Sequence, residues 1–338
     1  MLMKHTLEFI TPGGTSRGVL TTKDSYILKI KDKNGICGIG ECSIIPRLSI
    51  DDIPEIEQIM HDVQENIWSI IQDESYHLKY LQLPAVRFAI EMAKLDYQKG
   101  GKGIFFPSQY TFSPYEESIP INGLLWMGSF DYMWEQAQKK AEEGFSVLKM
   151  KVGALNFDEE RYFIKHLRKS FPKLNIRLDA NGGFPNEEAL DRLESLAEFS
   201  IHSIEQPIKV KQYALMSELC RKSPIPIALD EELIGVLDSE LQKKMLNIIQ
   251  PQFIIIKPSL LGGFRASDEW IAMAEERKIG WWATSALESN IALNAIAQWV
   301  YTKKNSLPQG LGTGNVFKNN FSSQLYLKNG KLFFKGEK

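Results

Sequence analysis

Five short apolar runs in this chain end in charged residues: Lys149-Met150-Lys151, Arg177-Leu178-Asp179, Ser203-Ile204-Glu205, Ala228-Leu229-Asp230 and Ile256-Lys257. Residues two apart on a strand face the same side. Lys149 and Lys151 therefore point one way, as do Arg177, Asp179 and Asn181. Carboxylates that share a pocket repel one another unless a cation sits among them. Asp179, Glu205 and Asp230 offer hard oxygen donors without His or Cys, which selects Mg²⁺, with Mn²⁺ the alternative, over zinc. A Lys beside such a cation and a second Lys is disfavoured in its charged form, so its pKa is expected to fall. A Lys titrating near neutrality is a competent general base. A cation that holds a substrate carboxylate acidifies the α-proton by stabilising the charge that forms. These residues thus point to proton abstraction α to the carboxylate of a small-molecule substrate.

The spacing says what must position them. From Lys151 the interval is 28 residues to Asp179, then 26 to Glu205, 25 to Asp230, 27 to Lys257, 28 to Ser285 and 27 to Gly312. Amphipathic stretches, such as Asp158 to Lys169, Asn186 to Ala197 and Ala266 to Arg277, fill the gaps. One strand, one helix and two loops make such a beat, and repeated βα units make a parallel sheet. With an extra strand near Ile119-Pro120-Ile121-Asn122, the strands number about eight, the count of a TIM-type barrel. A doubly wound open sheet is the other α/β fold to weigh, but it would not favour a charged residue at nearly every strand end. In a barrel those ends converge on one mouth. One charge at a strand end is ordinarily a cap or salt-bridge partner; six in register mark a site. His5, His61, His77 and His166 fall off the beat, and His202 reads as structural. Trp281-Trp282 reads as barrel wall.

The amino-terminal part differs. Ser25 to Lys31 alternates, Lys33-Asn34-Gly35 is a turn, and Ile36 to Glu41 completes a hairpin. Thr11 to Gly18 reads as a mobile loop from its Pro and Gly content. Asp51 to Gln72 reads as one helix, and a second runs from Leu83-Pro84 to Gly100-Gly101. Strands then helices make an α+β unit. The chain has 338 residues, 40 Lys+Arg against 42 Asp+Glu, and a net charge of -2. Near-neutrality argues against a nucleic-acid surface as the main function. No run of 18 apolar residues suits a membrane span, and the first residues lack a secretory pattern. Cys37, Cys42 and Cys220 have no metal-type spacing, and a reducing, cytoplasmic setting is the simplest expectation. Nothing in the sequence sets an oligomeric state.

Lys149-Met150-Lys151-Val152-Gly153, Arg177-Leu178-Asp179-Ala180-Asn181-Gly182, Ile204-Glu205-Gln206-Pro207, Ala228-Leu229-Asp230-Glu231 and Ile256-Lys257-Pro258 together resemble the enolase superfamily, muconate-lactonizing subgroup. The resemblance runs nearly the whole chain and includes Gly38-Ile39-Gly40-Glu41-Cys42. It implies a modified (β/α)7β TIM barrel at 116–312, under an α+β capping domain at 1–115 that about 313–338 completes. It implies Mg²⁺ on Asp179, Glu205 and Asp230, with Lys151 as the base and Lys257 as the cation on the opposite face. Lys149, Asn181 and Arg177 would support the site, Ser285 and Gly312 would border the substrate tail, and Glu231 would stand behind the metal ligands. The loops Thr11 to Gly18 and Ile44 to Leu48, with Thr15, Arg17 and Pro46, would close over the substrate and exclude water. Within the subgroup, epimerases resemble one another in an Asp-x-Asp on the last strand. Here that place reads Gly310-Leu311-Gly312, while Ser285-Ala286-Leu287-Glu288-Ser289 resembles the Ser-Ser-x-Glu-Ser of a menaquinone-pathway dehydratase branch. The resemblance therefore implies a dehydratase, with an N-acylamino-acid racemase or dipeptide epimerase as the alternative. A non-catalytic binding barrel would break at least one of the six charges, and all six are intact.

Overall fold

The computed structural model describes residues 1–15, 18–106 and 118–335. The amino-terminal part is an antiparallel sheet of β1 (Leu2–Thr15), β2 (Gly18–Lys31) and β3 (Cys37–Ser43), in the order β1-β2-β3. Four helices follow: α1 (Ile56–Glu65), α2 (Ile67–Gln72), α3 (Tyr76–Lys79) and α4 (Pro84–Gln98). Helix α4 lies so close on β3 that a Cβ at Gly40 would meet the Ala89 carbonyl oxygen at 2.0 Å. Pro84 opens α4, and the buried Asp51 carboxylate accepts the Ala85 N–H at 2.6 Å.

Two readings of this part change. Thr11 to Gly18 is not wholly loop: β1 pairs with β2 again at Gly13↔Leu20, Gly14↔Val19 and Thr15↔Gly18, after a register shift beyond Glu8. Composition gave the loop, but Gly pairs in a ladder when the partner strand is present. The helix expected over Asp51 to Gln72 begins only at Ile56 and breaks at Asn66, whose φ of -102° and ψ of 12° leave the helical region.

The rest alternates strand and helix: β4 (Ile119–Pro120), β5 (Gly123–Leu125), α5 (Phe130–Glu142), β6 (Val147–Lys151), α6 (Phe157–Ser170), β7 (Asn175–Asp179), α7 (Ala189–Ala197), β8 (Ser203–Glu205) and α8 (Tyr213–Lys222). Then come β9 (Ile227–Leu229), α9 (Ser239–Ile249), β10 (Phe253–Ile256), α10 (Pro258–Leu261), α11 (Phe264–Glu276), β11 (Gly280–Ala283) and α12 (Asn290–Thr302). Strands β5 to β11 form one parallel sheet in sequence order. Its two edges are joined by isolated parallel bridges, Ile121↔Gln309 and Thr284↔Gly310. This is the α/β barrel, with its eighth stave reduced to single pairings. The extra barrel strand expected at Ile119 to Asn122 is displaced. Ile119–Pro120 instead pairs antiparallel with the carboxy-terminal hairpin of β12 (Leu325–Lys328) and β13 (Lys331–Phe334), and Gly123–Leu125 is the barrel strand. Alternation sorts the side chains. Leu148, Met150, Ile176 and Leu178 join the large core shared with the helices, and their neighbours Lys149, Lys151, Arg177 and Asp179 take the other face.

The carboxy-terminal stretch divides. Val316 and Lys318 bond to Ile10 and Glu8 of β1, whereas Gly330 packs on Gly144, just before β6.

Candidate active site

Register brings the expected residues together. Lys151 pairs with Asp179 across β6 and β7, and Asp179 pairs with Glu205 across β7 and β8. Asp230 follows β9 directly, and Lys257 follows β10. Asp179, Glu205 and Asp230 are 3%, 2% and 1% exposed. The Lys149 ammonium donates to both oxygens of Glu205, at 2.8 and 2.7 Å, and lies 2.9 Å from Asp179 Oδ2. Lys257 pairs with Asp230, and Lys151 bonds to Asn181 Oδ1 while standing 3.6 Å from Asp179. One mouth therefore holds three carboxylates and three ammonium groups.

Burial alone would lower the pKa of Lys149, but Asp179, Glu205 and Asp230 outweigh it and raise it. Lys257 moves the same way, with Asp230 and Glu205 overcoming its burial. Lys149 and Lys257 are thus raised where a fall was expected, because the carboxylates beside them outweigh burial. Asp179 is held below the usual carboxylate range because Lys149 and Lys151 outweigh its burial. Burial and the neighbouring Asp179 push Glu205 up.

The donor set fits a hard divalent cation. Asp179, Glu205 and Asp230 supply carboxylate oxygens only, and the Lys149 ammonium already bridges two of them as a cation would. Among the described residues no three His, Cys, Asp or Glu side chains stand at metal-holding distance.

A cavity opens above this row. Lys149, Lys151, Asp179, Asn181, Glu231, Lys257, Ser285 and Gly312 all line it. Asn181, at a φ of 44°, donates to Glu231 Oε1 at 2.9 Å. A Cβ on Gly312 would come no nearer than 3.6 Å to another atom, so the glycine leaves room rather than relieving a clash. Arg177 does not line the cavity. Its guanidinium lies 3.8 Å over the Trp282 ring and donates to the Pro308 carbonyl at 2.7 Å, inside the barrel. Burial lowers it to about 10, with Glu205 opposing. Of the expected lid residues, Pro46 lines the cavity, Thr15 ends β1, and Arg17 lies outside the described residues.

Other residues act here that the sequence reading gave no role. The Gln206 side chain accepts the N–H groups of Asp230 and Glu232 and donates to the Ile208 carbonyl, tying the end of β8 to the turn after β9. Its place beside Glu205 was the available signal. Glu160 accepts the Gly153 N–H at 2.8 Å and fixes the loop after Lys151. Glu288 accepts the Ser285 hydroxyl at 2.6 Å and the Ser259 hydroxyl at 2.5 Å. The Ser-x-x-Glu spacing was its signal. Arg47 lines the cavity from within Ile44 to Leu48, the loop expected to close over the substrate, though the sequence reading gave this residue no role of its own.

Comparison with known proteins agrees with this geometry. Residues 132–333 match the family model of enolase C-terminal domain-like proteins. The chain is 44% identical to the o-succinylbenzoate synthase of Desulfotalea psychrophila, over 96% of each chain. It is 25% identical to the L-Ala-D/L-Glu epimerase of Bacillus subtilis, over 87% of this chain and 82% of that protein. The crystal structure of MenC from Desulfotalea psychrophila superposes with a TM-score of 0.86 at 40% identity, covering 98% of each chain.

Proposed function

The chain belongs to the enolase C-terminal domain-like family, and from that premise we infer that it catalyses the o-succinylbenzoate synthase reaction. Water is lost from 2-succinyl-6-hydroxy-2,4-cyclohexadiene-1-carboxylate, leaving 2-succinylbenzoate for menaquinone biosynthesis. One observation favours this over epimerisation of a dipeptide. The last stave presents Gly310, Gly312 and Thr313 to the cavity, so no carboxylate there awaits a substrate ammonium.

Asp179, Glu205 and Asp230 would hold Mg²⁺, or Mn²⁺ in its place. When bound, that ion supplies a Lewis-acid charge for the substrate's ring carboxylate. Lys151 is the base: it has the loosest pairing of the three lysines, with Asp179 at 3.6 Å. Its neutral Nζ takes the α-proton as the C–H bond breaks. The electron pair forms the new ring double bond as the C–O bond breaks, and the ammonium returns the proton to the departing hydroxyl as water. Lys257, reached from β10 on the far side of the carboxylate row, stays cationic and offsets charge developing on the substrate carboxylate. Asn181 bonds to Lys151 and aims its Nζ, while Glu231 steadies Asn181.

We also read 1–115 as a capping unit over a barrel at 116–312. The pairing of Val316 and Lys318 with β1 supports a return of about 313–338 to the cap, while β12 and β13 lie against β4.

The test is direct. Purified protein with Mg²⁺ converts the cyclohexadiene to the aromatic product with a change in ultraviolet absorbance, and Lys151→Ala abolishes turnover while leaving the circular dichroism unchanged. No absorbance change with wild type refutes the reaction; an active Lys151→Ala protein refutes the base.

A further inference from the structure

We propose that Arg47 is the binding group for the second carboxylate of the substrate, the one at the end of its flexible tail. This rests on the dehydratase reading, because that substrate carries two carboxylates. The first lies with the row of acids and lysines at the strand ends. The second must also leave water as it enters the cavity, and a buried carboxylate without a partner is costly.

The lining offers few cations for it. Lys149 and Lys257 are held by Glu205, Asp179 and Asp230, and Lys151 faces Asn181 and Asp179. Arg47 lines the same cavity from the amino-terminal unit, and among the described residues it forms no ion pair with a carboxylate. Of the three hydroxyl residues on the barrel wall, Ser285 and Thr313 have spent their protons, and Thr284, whose buried Oγ1 has no partner among the described residues, carries no charge to meet a carboxylate. Ser285 donates to Glu288 at 2.6 Å, and Thr313 donates to Ser285 at 2.7 Å. That wall otherwise presents Ala286, Leu287 and Gly312, which suit the methylenes of a tail but not its charged end.

Arg47 is also built into place. It sits at a φ of 62°, a left-handed conformation rare for a side chain of its size. Its own N–H is held by Asp52 Oδ2 at 2.7 Å. The turn around it is closed by Ile45 N–H to Ser49 Oγ at 2.9 Å and Ser49 N–H to the Ile45 carbonyl at 3.0 Å. Ile45 is buried in a cluster with Leu260 and Ala286 of the barrel, so the turn is seated on the barrel. A Cβ on Gly18 would stand 3.2 Å from Arg47 Nη2, so the glycine at the start of β2 keeps clear of the guanidinium. A guanidinium is the group that meets a carboxylate with two parallel hydrogen bonds.

The experiment compares Arg47→Met and Arg47→Lys with wild type in two measurements. In turnover, Arg47→Met raises KM about 10- to 100-fold, the scale of a lost charge-assisted pair, with kcat changing far less. In calorimetry with Mg²⁺ present, the same variant weakens 2-succinylbenzoate by a similar factor. Benzoate, which lacks the tail, then binds wild type and variant within about 2-fold of each other, since the lost bond is not one it makes. Arg47→Lys recovers part of the loss. Equal weakening of both ligands, or an unchanged KM in Arg47→Met, overturns the assignment. A wild-type protein that leaves the cyclohexadiene untouched sinks the dehydratase reading itself, which the Arg47 variants alone cannot do.

Discussion

At the scale of single residues, Lys149 and Lys151 have the same side chain two positions apart and different work. Lys149 has all its protons engaged, by both oxygens of Glu205 and by Asp179. It can hold those carboxylates but has no proton vacancy with which to act as base. Removing one partner of a buried charge pair costs about 3–5 kcal/mol, because the other charge stays buried and unpaired. Lys149→Met is therefore expected to lower unfolding stability by about that amount in urea melts, whereas Lys151→Ala leaves stability nearly untouched and removes turnover. Equal stability losses in the two variants would contradict this division. Alternation along the strands was enough to put both lysines on one face, and the even beat was enough to bring in Asp179, Glu205, Asp230 and Lys257. The pairing was not legible. Nothing local says that Lys149 takes Glu205, 56 residues away, or that Glu41 takes Ser289, 248 residues away. Glu160 was missed for the same reason, since it works through the Gly153 N–H, a partner that periodicity does not mark, and the loop of Arg47 was expected over the site without this residue being singled out.

At the scale of elements, buried carboxylates seat the helices. Asp51 accepts N–H groups at the start of α4, Glu91 of α4 accepts those of Phe264 and Arg265 at the start of α11, and Glu41 of β3 accepts those of Ser289 and Ala292 at the start of α12. The last two tie the amino-terminal unit to the barrel through helix ends. Asp51 is fully buried, and burial raises its pKa from the ordinary 3.8 to about 6, with the Ala85 N–H opposing. The sign follows. The fold favours the neutral carboxyl, so this group's contribution to stability is whole below about pH 3.8, falls as pH rises to about 6, and is level beyond. Asn at this position keeps an acceptor for the Ala85 N–H and does not ionise. Asp51→Asn should thus gain on wild type between pH 4 and pH 7, by about 1–3 kcal/mol at 1.36 kcal/mol per pKa unit. Urea melts at the two pH values check it, and a constant difference between the proteins would refute it. Helix α4 was readable from the Pro and Gly residues that bound it, and β6 to β11 from short apolar runs on an even beat. The break at Asn66, the pairing of Gly13 to Thr15 and the single-bridge stave at Gln309 and Gly310 were not. At Gly13 to Thr15 and at Gln309 and Gly310 a partner strand decides what local composition leaves open, whereas the break at Asn66 is local, its side chain donating to the Asp62 carbonyl at 2.9 Å.

At the scale of the whole molecule, the proposed cation site exists only when the chain is folded. Asp179, Glu205 and Asp230 leave three successive strands, 26 and 25 residues apart, and no local segment brings any two together. A ligand that binds the native state and not the unfolded one stabilises by RT ln(1 + [L]/Kd), about 2.7 kcal/mol at 100 times Kd. Mg²⁺ is therefore expected to raise the unfolding midpoint in a concentration-dependent way, and EDTA should reverse the rise. Lys257 pairs with Asp230, and Lys149 with Asp179 and Glu205. A monovalent salt at equal ionic strength screens these pairs without replacing them, and should not reproduce the rise. Asp230→Asn removes one ligand charge and leaves Lys257 without its carboxylate, so the Mg²⁺-dependent part should shrink or vanish whatever happens to the starting midpoint. The readout needs no turnover, so it separates the metal from the chemistry. A protein that dehydrates its substrate yet shows no Mg²⁺ or Mn²⁺ shift up to millimolar concentrations would place the cation elsewhere. A shift that survives intact in Asp230→Asn would remove Asp230 from the ligand set.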